Sequence, residues 1–405
     1  MKGYDWLNHE INQTFPGSNI GFTQLVSTEP KIENVKANSR LNVIHDFQET
    51  CIEIFRKSLS EQDETLLSWL MNETPGSLGV DYHMSLSSNC FKKPVFFRTD
   101  EMDFGKIAEI QCPGSHWGEL ELLYNYYKDS FRIGQEPAEN FVEQLKCYLG
   151  KESPTVLYLT DNSSAPAGVR YFIEKTRPQI RYWGIDSMVE SKACDFVRTH
   201  SFFGLCGENY HKLRLELVGD SLEYDYPPNV LFDQKATLVL PFWSKTRELF
   251  SNDIRNLIIY STPLISNCIE LDNGDVLSVE EFSKKPQSHR RYYLKYAGSD
   301  VTKNWGSRGV YRLSNESSIG CEALLKKCLE SSKHGEIWML QKEISNKKEV
   351  EYYDRDGIKK IERRNVKYSS FYGPLGLIGI LGYHRNHFKV HGQNDTVLSF
   401  IVSAD

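Results

Sequence analysis

The stretch that decides the fold is Phe97 to Gly114, which reads FRTDEMDFGKIAEIQCPG. It contains two short strand-like runs separated by a turn with a glycine, which predicts a β-hairpin. Side chains two positions apart on a strand share a face, so Arg98 lies beside Asp100. On the second strand, Glu109 lies beside Gln111 for the same reason. If the two faces coincide, two carboxylates, one amide oxygen and one guanidinium come together.

Such a set of side chains suits a hard cation. Mg²⁺ prefers oxygen ligands, and an arginine beside it is placed to grip a phosphoryl group or a carboxylate. A surface hairpin with cross-strand ion pairs explains the same residues, and the neighbouring Glu101 and Asp103 fit that alternative. The hairpin alone leaves both interpretations open.

The composition narrows the class of protein. The chain has 405 residues, with 48 Lys and Arg against 54 Asp and Glu, so its formal net charge is −6. Nucleic-acid binding needs clustered positive charge, so this balance excludes a polycationic nucleic-acid coat. The 40% apolar and 25% charged fractions are those of a folded globular protein. The length predicts about two or three subdomains.

The sequence shows no pattern typical of targeting to a membrane or to secretion. No apolar run approaches the roughly 20 residues that span a bilayer, and the longest, residues 375–383, predicts a buried strand. The N-terminus lacks the apolar region of a signal peptide, and the nine cysteines are scattered without CxxC pairs. We therefore expect a cytoplasmic protein with neither a membrane nor a nucleic acid as partner.

Helices and strands are predicted on both sides of the hairpin. Apolar residues at helical spacing over 39–72 predict an N-terminal helical segment, and residues 119–131 and 138–149 have helical spacing again. From residue 153 the chain runs strand, helix, strand, the pattern of a βαβ unit with parallel strands. Further on, ATLVLPFWSK (236–245) leads into a predicted helix, TRELFSNDIRNLI, and mixed strands and helices follow.

Two later segments carry features of a nucleotide site. Lys295 lies in a predicted strand before a glycine-bearing loop, 303–310, and such a loop can bring backbone N–H groups to phosphate oxygens. The Walker A pattern is absent, and an ordinary hairpin explains the loop equally. The strand 338–344 can offer backbone groups and Gln341 to an adenine edge, or it is a core strand that emerges into solvent.

In their order along the chain, these motifs resemble the ATP-grasp ligases. RTD followed by EIQCPG resembles their RxD…ExN…PG motif, in which acidic and amide side chains bind magnesium and the arginine assists at the transferred phosphoryl group. The motif closes the chain in most members but comes first here, which is the order of the circularly permuted branch. Over residues 91–405 the chain resembles the synthetase half of glutathionylspermidine synthase, and PFWSK (241–245) resembles that family's EPxWK segment.

The resemblance implies a fold and a reaction. The fold is a circularly permuted ATP-grasp of the α+β or α/β class, with a small βαβ pre-ATP-grasp-like domain and an N-terminal helical segment. The reaction is an ADP-forming ligation, with ATP and Mg²⁺, in which a small-molecule or peptide carboxylate and an amine form an amide through an acyl phosphate. The implied divisions are a helical substrate or lid region (1–90), the metal-binding hairpin with two helices (91–150), the parallel βαβ domain (151–240) and the nucleotide-binding lobes (241–405).

The resemblance also implies a set of site residues. Arg98 would assist phosphoryl transfer. Mg²⁺ ligands are implied for Asp100, Glu109 and Gln111. ATP contacts are implied for Lys245, Lys295, Gly306, Ser307, Gly309, Gln341, Lys342 and Ile344. The loop around Trp305 would act as a lid that excludes water.

Three departures from the family pattern leave other functions open. Gln111 stands where Asn is expected, Leu240 where a Glu precedes the Pro, and Asp253 where a second Lys follows Ser-Asn. A non-catalytic nucleotide- or metabolite-binding protein is therefore the alternative, and a kinase that stops at phosphoryl transfer is a third interpretation. The sequence indicates neither the two substrates nor the oligomeric state.

The remaining polar candidates are weaker. Cys112 is a nucleophile or a packed cysteine. His384, His387 and His391 have spacing compatible with Zn²⁺, although HExxH is missing. Further candidates for phosphate or substrate contacts are Arg385, Lys389, His391 and Lys367. The acidic stretch 216–225 fits either a cationic amine substrate or a solvated face.

Overall fold

The computed structural model describes residues 3–14, 24–33, 37–71, 80–86, 91–111, 116–159, 167–183, 194–199, 223–225, 229, 231–232, 234–298, 303, 308–390 and 394–403. This part of the chain mixes helices with several β-sheets: one of eight strands, two of four strands and one of two strands. The predicted mixed α and β class is therefore confirmed.

The helices and strands are numbered in chain order. The helices are α1 (Gly3–Thr14), α2 (Ala37–Glu61), α3 (Glu64–Met71), α4 (Val80–Ser85), α5 (Trp117–Tyr127), α6 (Pro137–Leu149), α7 (Ala167–Thr176), α8 (Asn252–Leu257), α9 (Val279–Lys284) and α10 (Ser318–Ser332). The strands are β1 (Leu25–Val26), β2 (Lys31–Glu33), β3 (Phe97–Asp103), β4 (Lys106–Gln111), β5 (Thr155–Leu159), β6 (Arg181–Trp183), β7 (Phe196–Thr199), β8 (Glu223–Tyr224), β9 (Ser261–Pro263), β10 (Cys268–Glu270), β11 (Val276–Ser278), β12 (Tyr292–Tyr296), β13 (Val310–Arg312), β14 (Trp338–Lys342), β15 (Lys347–Tyr353), β16 (Lys359–Gly373), β17 (Gly376–Arg385) and β18 (Val397–Ser403).

The eight-stranded sheet joins the two ends of the chain. Its strand order is β1-β18-β17-β16-β3-β4, with β15 also paired to β16 and β2 to β18. The predicted hairpin is confirmed as β3 and β4, and β3 pairs antiparallel with β16, so that Asp100 lies opposite Ser369. The hairpin near residue 100 thus lies against a strand more than 250 residues later in the chain.

The two four-stranded sheets differ in their strand directions. One has the order β13-β12-β14-β9 and is antiparallel throughout. The other has the order β6-β5-β7-β8 and is parallel, with α7 between β5 and β6. The predicted βαβ unit is therefore confirmed, and its chain connection runs through the helix as parallel strands require.

The eight-stranded sheet has an apolar cluster on each face. Phe97 and Tyr372 pack with α2, α3 and residues 231–258 on one face. Their chain neighbours Phe96 and Phe371 point the opposite way and pack with α5, α6 and α7. This alternation follows the period of two along a strand, and it puts helices on both sides of β3 and β16. No helix in the described ranges is long and apolar enough to cross a membrane.

The helices predicted over 39–72, 119–131 and 138–149 are confirmed, whereas the helix predicted over 246–258 is confirmed only in part. Its first half forms a short 3₁₀ turn at Arg247–Leu249, and α8 is the α-helical part. Another short 3₁₀ turn, Ala236–Val239, lies in the preceding segment. The Ser251 hydroxyl accepts a hydrogen bond from the Ile254 N–H while its own backbone is extended. Ser251 is therefore an N-cap that begins a new helix rather than an interior residue of a longer one.

Candidate functional site

The hairpin brings the four predicted side chains onto one face. Asp100 lies directly opposite Glu109, and Arg98 lies opposite Gln111. The Gln111 amide oxygen accepts a hydrogen bond from the Arg98 guanidinium. We call the Asp100–Glu109 pair the carboxylate row. Its two carboxylates and the neighbouring amide form an oxygen-only donor set.

Asp100 is held by three side chains. Arg98 Nε lies 3.0 Å from one carboxylate oxygen, and the Ser369 hydroxyl donates to the same oxygen at 2.7 Å. Lys367 Nζ donates to the other oxygen at 2.6 Å. Burial on its own raises the pKa of a carboxyl group, but the charges of Arg98 and Lys367 and these hydrogen bonds outweigh it. The pKa of Asp100 is therefore well below its usual range, and the group is ionised.

Glu109 pairs with a lysine that the sequence analysis did not select. Lys235 Nζ lies 2.9 Å from Glu109, and only 6% of the Lys235 side chain is exposed. The Lys235 backbone N–H donates to the Ala297 carbonyl at 3.1 Å, just beyond the end of β12. Burial raises the pKa of Glu109, whereas the nearby Lys235 charge lowers it, and the net direction is downward. Both members of the carboxylate row are thus ionised.

Lys245, the lysine that the family-like motif selects, makes its ion pair outside the carboxylate row. Its Nζ is 3.6 Å from Asp63, and 41% of its side chain is exposed. Lys245 resembles the motif lysine because it ends PFWSK, in which a Pro and a Trp precede the lysine as in the family's EPxWK segment. The signal for Lys235 was its position at the start of a long apolar run, 236–243, where a lysine is carried towards the interior.

Lys295 and Gln341 connect the antiparallel four-stranded sheet to the hairpin. Lys295 Nζ donates to the Gln341 amide oxygen at 2.6 Å. The Gln341 amide nitrogen donates to the Ala108 carbonyl of β4 at 3.2 Å and to the Ser261 hydroxyl at 3.1 Å. Burial lowers the pKa of Lys295 to about 8, with the charge of Lys235 acting in the same direction and that of Glu109 opposing it.

The other predicted nucleotide contacts have varied positions. Lys342 alternates with Gln341 along β14 and pairs with Asp272, while Ile344 is half-buried. Gly309 donates its N–H to the Lys303 carbonyl and accepts from the Tyr296 N–H at 2.8 Å. A Cβ at Gly309 would lie 2.6 Å from the Tyr296 Cβ, so only glycine allows this close approach. Gly306, Ser307 and Trp305 lie outside the described residues, as do Cys112 and His391.

Of the C-terminal histidines, His384 and His387 lie in the described part of the chain, and they have different surroundings. His384 is buried on the face of β17 opposite Tyr383, and its Nε2 lies 2.8 Å from the Ser399 hydroxyl. Burial lowers the pKa of His384 to about 3. Arg385 pairs with Asp395 at 2.8 Å, and His387 is exposed. Within the described ranges, no group of three His, Cys, Asp or Glu side chains is arranged to hold a metal ion.

The carboxylate row still fits Mg²⁺. This ion commonly takes one or two protein carboxylates and completes its octahedral coordination with water and substrate phosphate oxygens. Asp100, Glu109 and the Gln111 amide supply oxygen atoms only. In the described structure, basic side chains contact Asp100, Glu109 and Gln111. The two carboxylates are therefore ionised, and their negative charge is balanced by these basic side chains.

Comparison with known proteins identifies no family. No protein-family model matches the chain. No curated protein matches it either. Among solved structures, 35 chains are similar. One is a protein of Methylobacillus flagellatus KT that carries a provisional assignment as gamma-glutamylcysteine synthetase, with a TM-score of 0.38 and 7% identity over 80% of this chain and 84% of that one. Similarity at this level carries no argument about fold or activity.

Proposed function

We propose that this chain is an ATP-dependent ligase that forms an amide from a carboxylate and an amine and releases ADP and phosphate. One observation carries the proposal: the carboxylate row meets four basic side chains between the eight-stranded sheet and the antiparallel four-stranded sheet. These side chains, which we call the basic cluster, are Arg98, Lys235, Lys295 and Lys367.

The charge of these side chains suits a polyphosphate. Four basic side chains of the basic cluster face the two carboxylates of the carboxylate row, so the charge there is positive although the whole chain has a net charge of −6. Charge-assisted hydrogen bonds from lysine and arginine to phosphate oxygens are among the stronger polar contacts in proteins. A triphosphate bound here would replace contacts that the basic cluster now makes with Asp100, Glu109 and Gln341.

We assign the architecture as a circularly permuted ATP-grasp. The support is the chain order, in which the hairpin motif precedes Lys295 and the strand 338–342. The pairing of Asp100 with Ser369, 269 positions later, then closes the site. ATP would bind between the two sheets, with its adenine near the end of β14.

Each side chain of the carboxylate row and most of the basic cluster have a proposed role. Mg²⁺ would be held by Asp100, Glu109 and the Gln111 amide oxygen, and would neutralise charge on the phosphate oxygens. Lys235 and Lys295 would bind phosphate oxygens directly. Arg98 would face the transferred phosphoryl group and stabilise the charge that spreads over it in the transition state. Because the row is buried, the acyl phosphate would form away from water.

The proposal is tested by two substitutions in the row. We expect Asp100→Asn and Glu109→Gln each to reduce ADP release by at least about 100-fold, since each removes a charge from the proposed metal site. The measurement is ADP release with Mg-ATP against pools of carboxylates and amines. The matched control is Asp103→Asn, at the exposed end of the same hairpin. Unchanged turnover in both row variants would contradict the site assignment.

A non-catalytic nucleotide-binding protein is the second candidate. It is favoured by the contact between Arg98 and the Gln111 amide oxygen, which occupies an atom that the metal would need. Calorimetry with Mg-ATP measures binding, and the assay described above measures ADP release. Binding without ADP release across all carboxylate and amine pools supports the non-catalytic candidate. A stable phosphorylated product would instead indicate a kinase.

A further inference from the structure

The first turn of α5 lies against the same face of the sheet as the carboxylate row. The Trp117 ring packs on Phe371 with ring centroids 4.9 Å apart. On β16 and β17, Lys367 lies opposite Tyr383, one row beyond the Asp100–Ser369 pair. The N-terminal end of α5 and the Tyr383 side chain therefore border the proposed site of phosphoryl transfer.

Two buried polar atoms at this border lack a partner. Tyr383 is only 2% exposed, and its hydroxyl has no hydrogen-bond partner among the described residues. Oxygen Oε2 of Glu119 is also buried and has none within the same ranges. Lys367 Nζ lies 4.8 Å from the Tyr383 ring centroid, and the His116 ring lies 5.5 Å from it. Buried polar groups are normally hydrogen-bonded, so this pair points to a ligand that supplies the contacts.

Glu119 differs from the carboxylates of the row in its partners. Asp100 is paired with Arg98 and Lys367, and Glu109 is paired with Lys235. Glu119 Oε1 lies 3.2 Å from the His116 imidazole, which leaves its second oxygen available. A carboxylate ligand would be repelled by this oxygen, whereas an amine would donate to it.

Local backbone structure holds Glu119 in position. His116, the N-cap of α5, has a φ of 74°, a left-handed conformation that is uncommon for a residue with a side chain. Such conformations concentrate at functional sites. A Cβ at Gly168 would lie 2.8 Å from Glu119 Oε2, so the first turn of α7 also approaches the carboxylate closely. Burial on its own raises the pKa of Glu119. The His116 imidazole and the backbone N–H of Glu119 itself lower this pKa by more, so its net shift is downward and the group is ionised.

We propose that Glu119 is the proton acceptor for the amine substrate, with the Tyr383 hydroxyl lining the same subsite. This inference rests on the proposed ligase function. The amine lone pair attacks the carbonyl carbon of the acyl phosphate and forms the C–N bond. The bond from that carbon to the phosphate oxygen breaks, and phosphate leaves with the electron pair. The proton lost from nitrogen passes to Glu119 Oε2 and then to water.

The test compares two nucleophiles on the full-length protein. With Mg-ATP, wild type is first screened with hydroxylamine against the common amino acids and a set of dipeptides, and hydroxamate is measured by its ferric complex. Hydroxylamine is neutral near pH 7.5 and needs little help from a base. The carboxylate that responds is then coupled to ethylamine, putrescine and glycinamide, and the amide is measured by mass spectrometry.

We expect Glu119→Gln to reduce amide formation by about 100-fold or more, the usual range for loss of a general base, while hydroxamate formation stays within about threefold of wild type. The matched control is Glu139→Gln, an exposed residue in the first turn of α6, which should change neither rate. If the Glu119→Gln variant shows no cooperative thermal transition, it is replaced by Glu119→Asp, which withdraws the carboxylate by one methylene. The same difference between amide and hydroxamate formation is expected for that variant.

The outcomes separate the two proposals. Equal loss of amide and hydroxamate in a folded Glu119 variant, or no loss of amide, overturns the assignment of Glu119 and leaves the ligase proposal standing. A wild-type protein that forms neither ADP nor hydroxamate contradicts the ligase proposal, and the assignment of Glu119 falls with it.

Discussion

At the scale of single residues, four separate parts of the chain supply the basic cluster. Arg98 comes from β3, Lys235 from the segment before the 3₁₀ turn at 236–239, Lys295 from β12 and Lys367 from β16. Net charge reveals nothing of this, because it averages over the whole chain. Lys367 was a candidate from the sequence. Lys235 was not, because its local signal is only the apolar run that follows it, and the family-like motif pointed to Lys245 instead.

Glu121 is a residue whose ionisation should affect stability. Burial is the main reason that its pKa is raised to about 8, and the nearby Glu136 adds to the effect. Asn125 donates to one of its oxygens at 2.7 Å, and the Ala138 N–H donates to the other at 3.0 Å. The folded state therefore holds a proton on Glu121 that the unfolded state releases at a lower pH.

We expect the folded protein to lose stability as pH rises from about 4.5 towards about 8, because Glu121 contributes most when it is protonated and less as it ionises. Glu121→Gln should flatten this part of the pH dependence and unfold at a higher temperature than wild type at pH 9. Thermal unfolding followed by circular dichroism checks this, with the exposed Glu139→Gln as control. Parallel pH profiles for wild type and Glu121→Gln would contradict it.

At the scale of elements, the crossing of α5 and α7 sets the position of Glu119. The two helices touch at their first turns, where a Cβ added to Gly118 would overlap the carbonyl oxygen of Gly168. Backbone atoms on both sides leave no flexible side chain to move aside. The pair of glycines is thus what allows the first turn of α7 to pack directly against the first turn of α5, which carries Glu119.

We expect Gly118→Ala to lower the free energy of unfolding by about 3 kcal/mol, the upper end of the cost of overpacking, because the added methyl group meets backbone. The matched control is Gly320→Ala in the first turn of α10, where the nearest atoms are the Ser317 hydroxyl at 3.2 Å and a Glu316 oxygen. That change should alter stability by less than about 1 kcal/mol. Urea unfolding of both variants provides the comparison, and equal effects would show that the crossing is more tolerant than its geometry indicates.

Helices and strands whose apolar and polar residues alternate with a clear period could be predicted from the sequence. The period of two put Arg98 beside Asp100 and Glu109 beside Gln111. The register shows in addition that the two faces coincide, which the sequence left open. The helix predicted over 246–258 is present only from Asn252, because Ser251 acts as an N-cap and interrupts a stretch whose mixture of apolar and charged residues looks helical throughout. Short 3₁₀ turns leave no period to detect, so the segment that delivers Lys235 could not be located.

At the scale of the whole molecule, the proposed site depends on pairings between distant parts of the chain. β3 contacts β16, and Gln341 of β14 donates to the Ala108 carbonyl of β4 at 3.2 Å. Only the fold reveals that Tyr383 and the first turn of α5 border the carboxylate row. Glu119 could not be selected from the sequence either, because acidic residues are common in the first turn of a helix and nothing in the sequence places it near Tyr383.

The central claim is that a carboxylate is activated by phosphoryl transfer from ATP. The most direct measurement supplies a carboxylate labelled with ¹⁸O, together with Mg-ATP and an amine, and determines the isotope content of the released phosphate by mass spectrometry. The account predicts one ¹⁸O atom in each phosphate, because the carboxylate oxygen that attacks the γ-phosphoryl group leaves with it. Release of unlabelled phosphate alongside the amide would contradict the account.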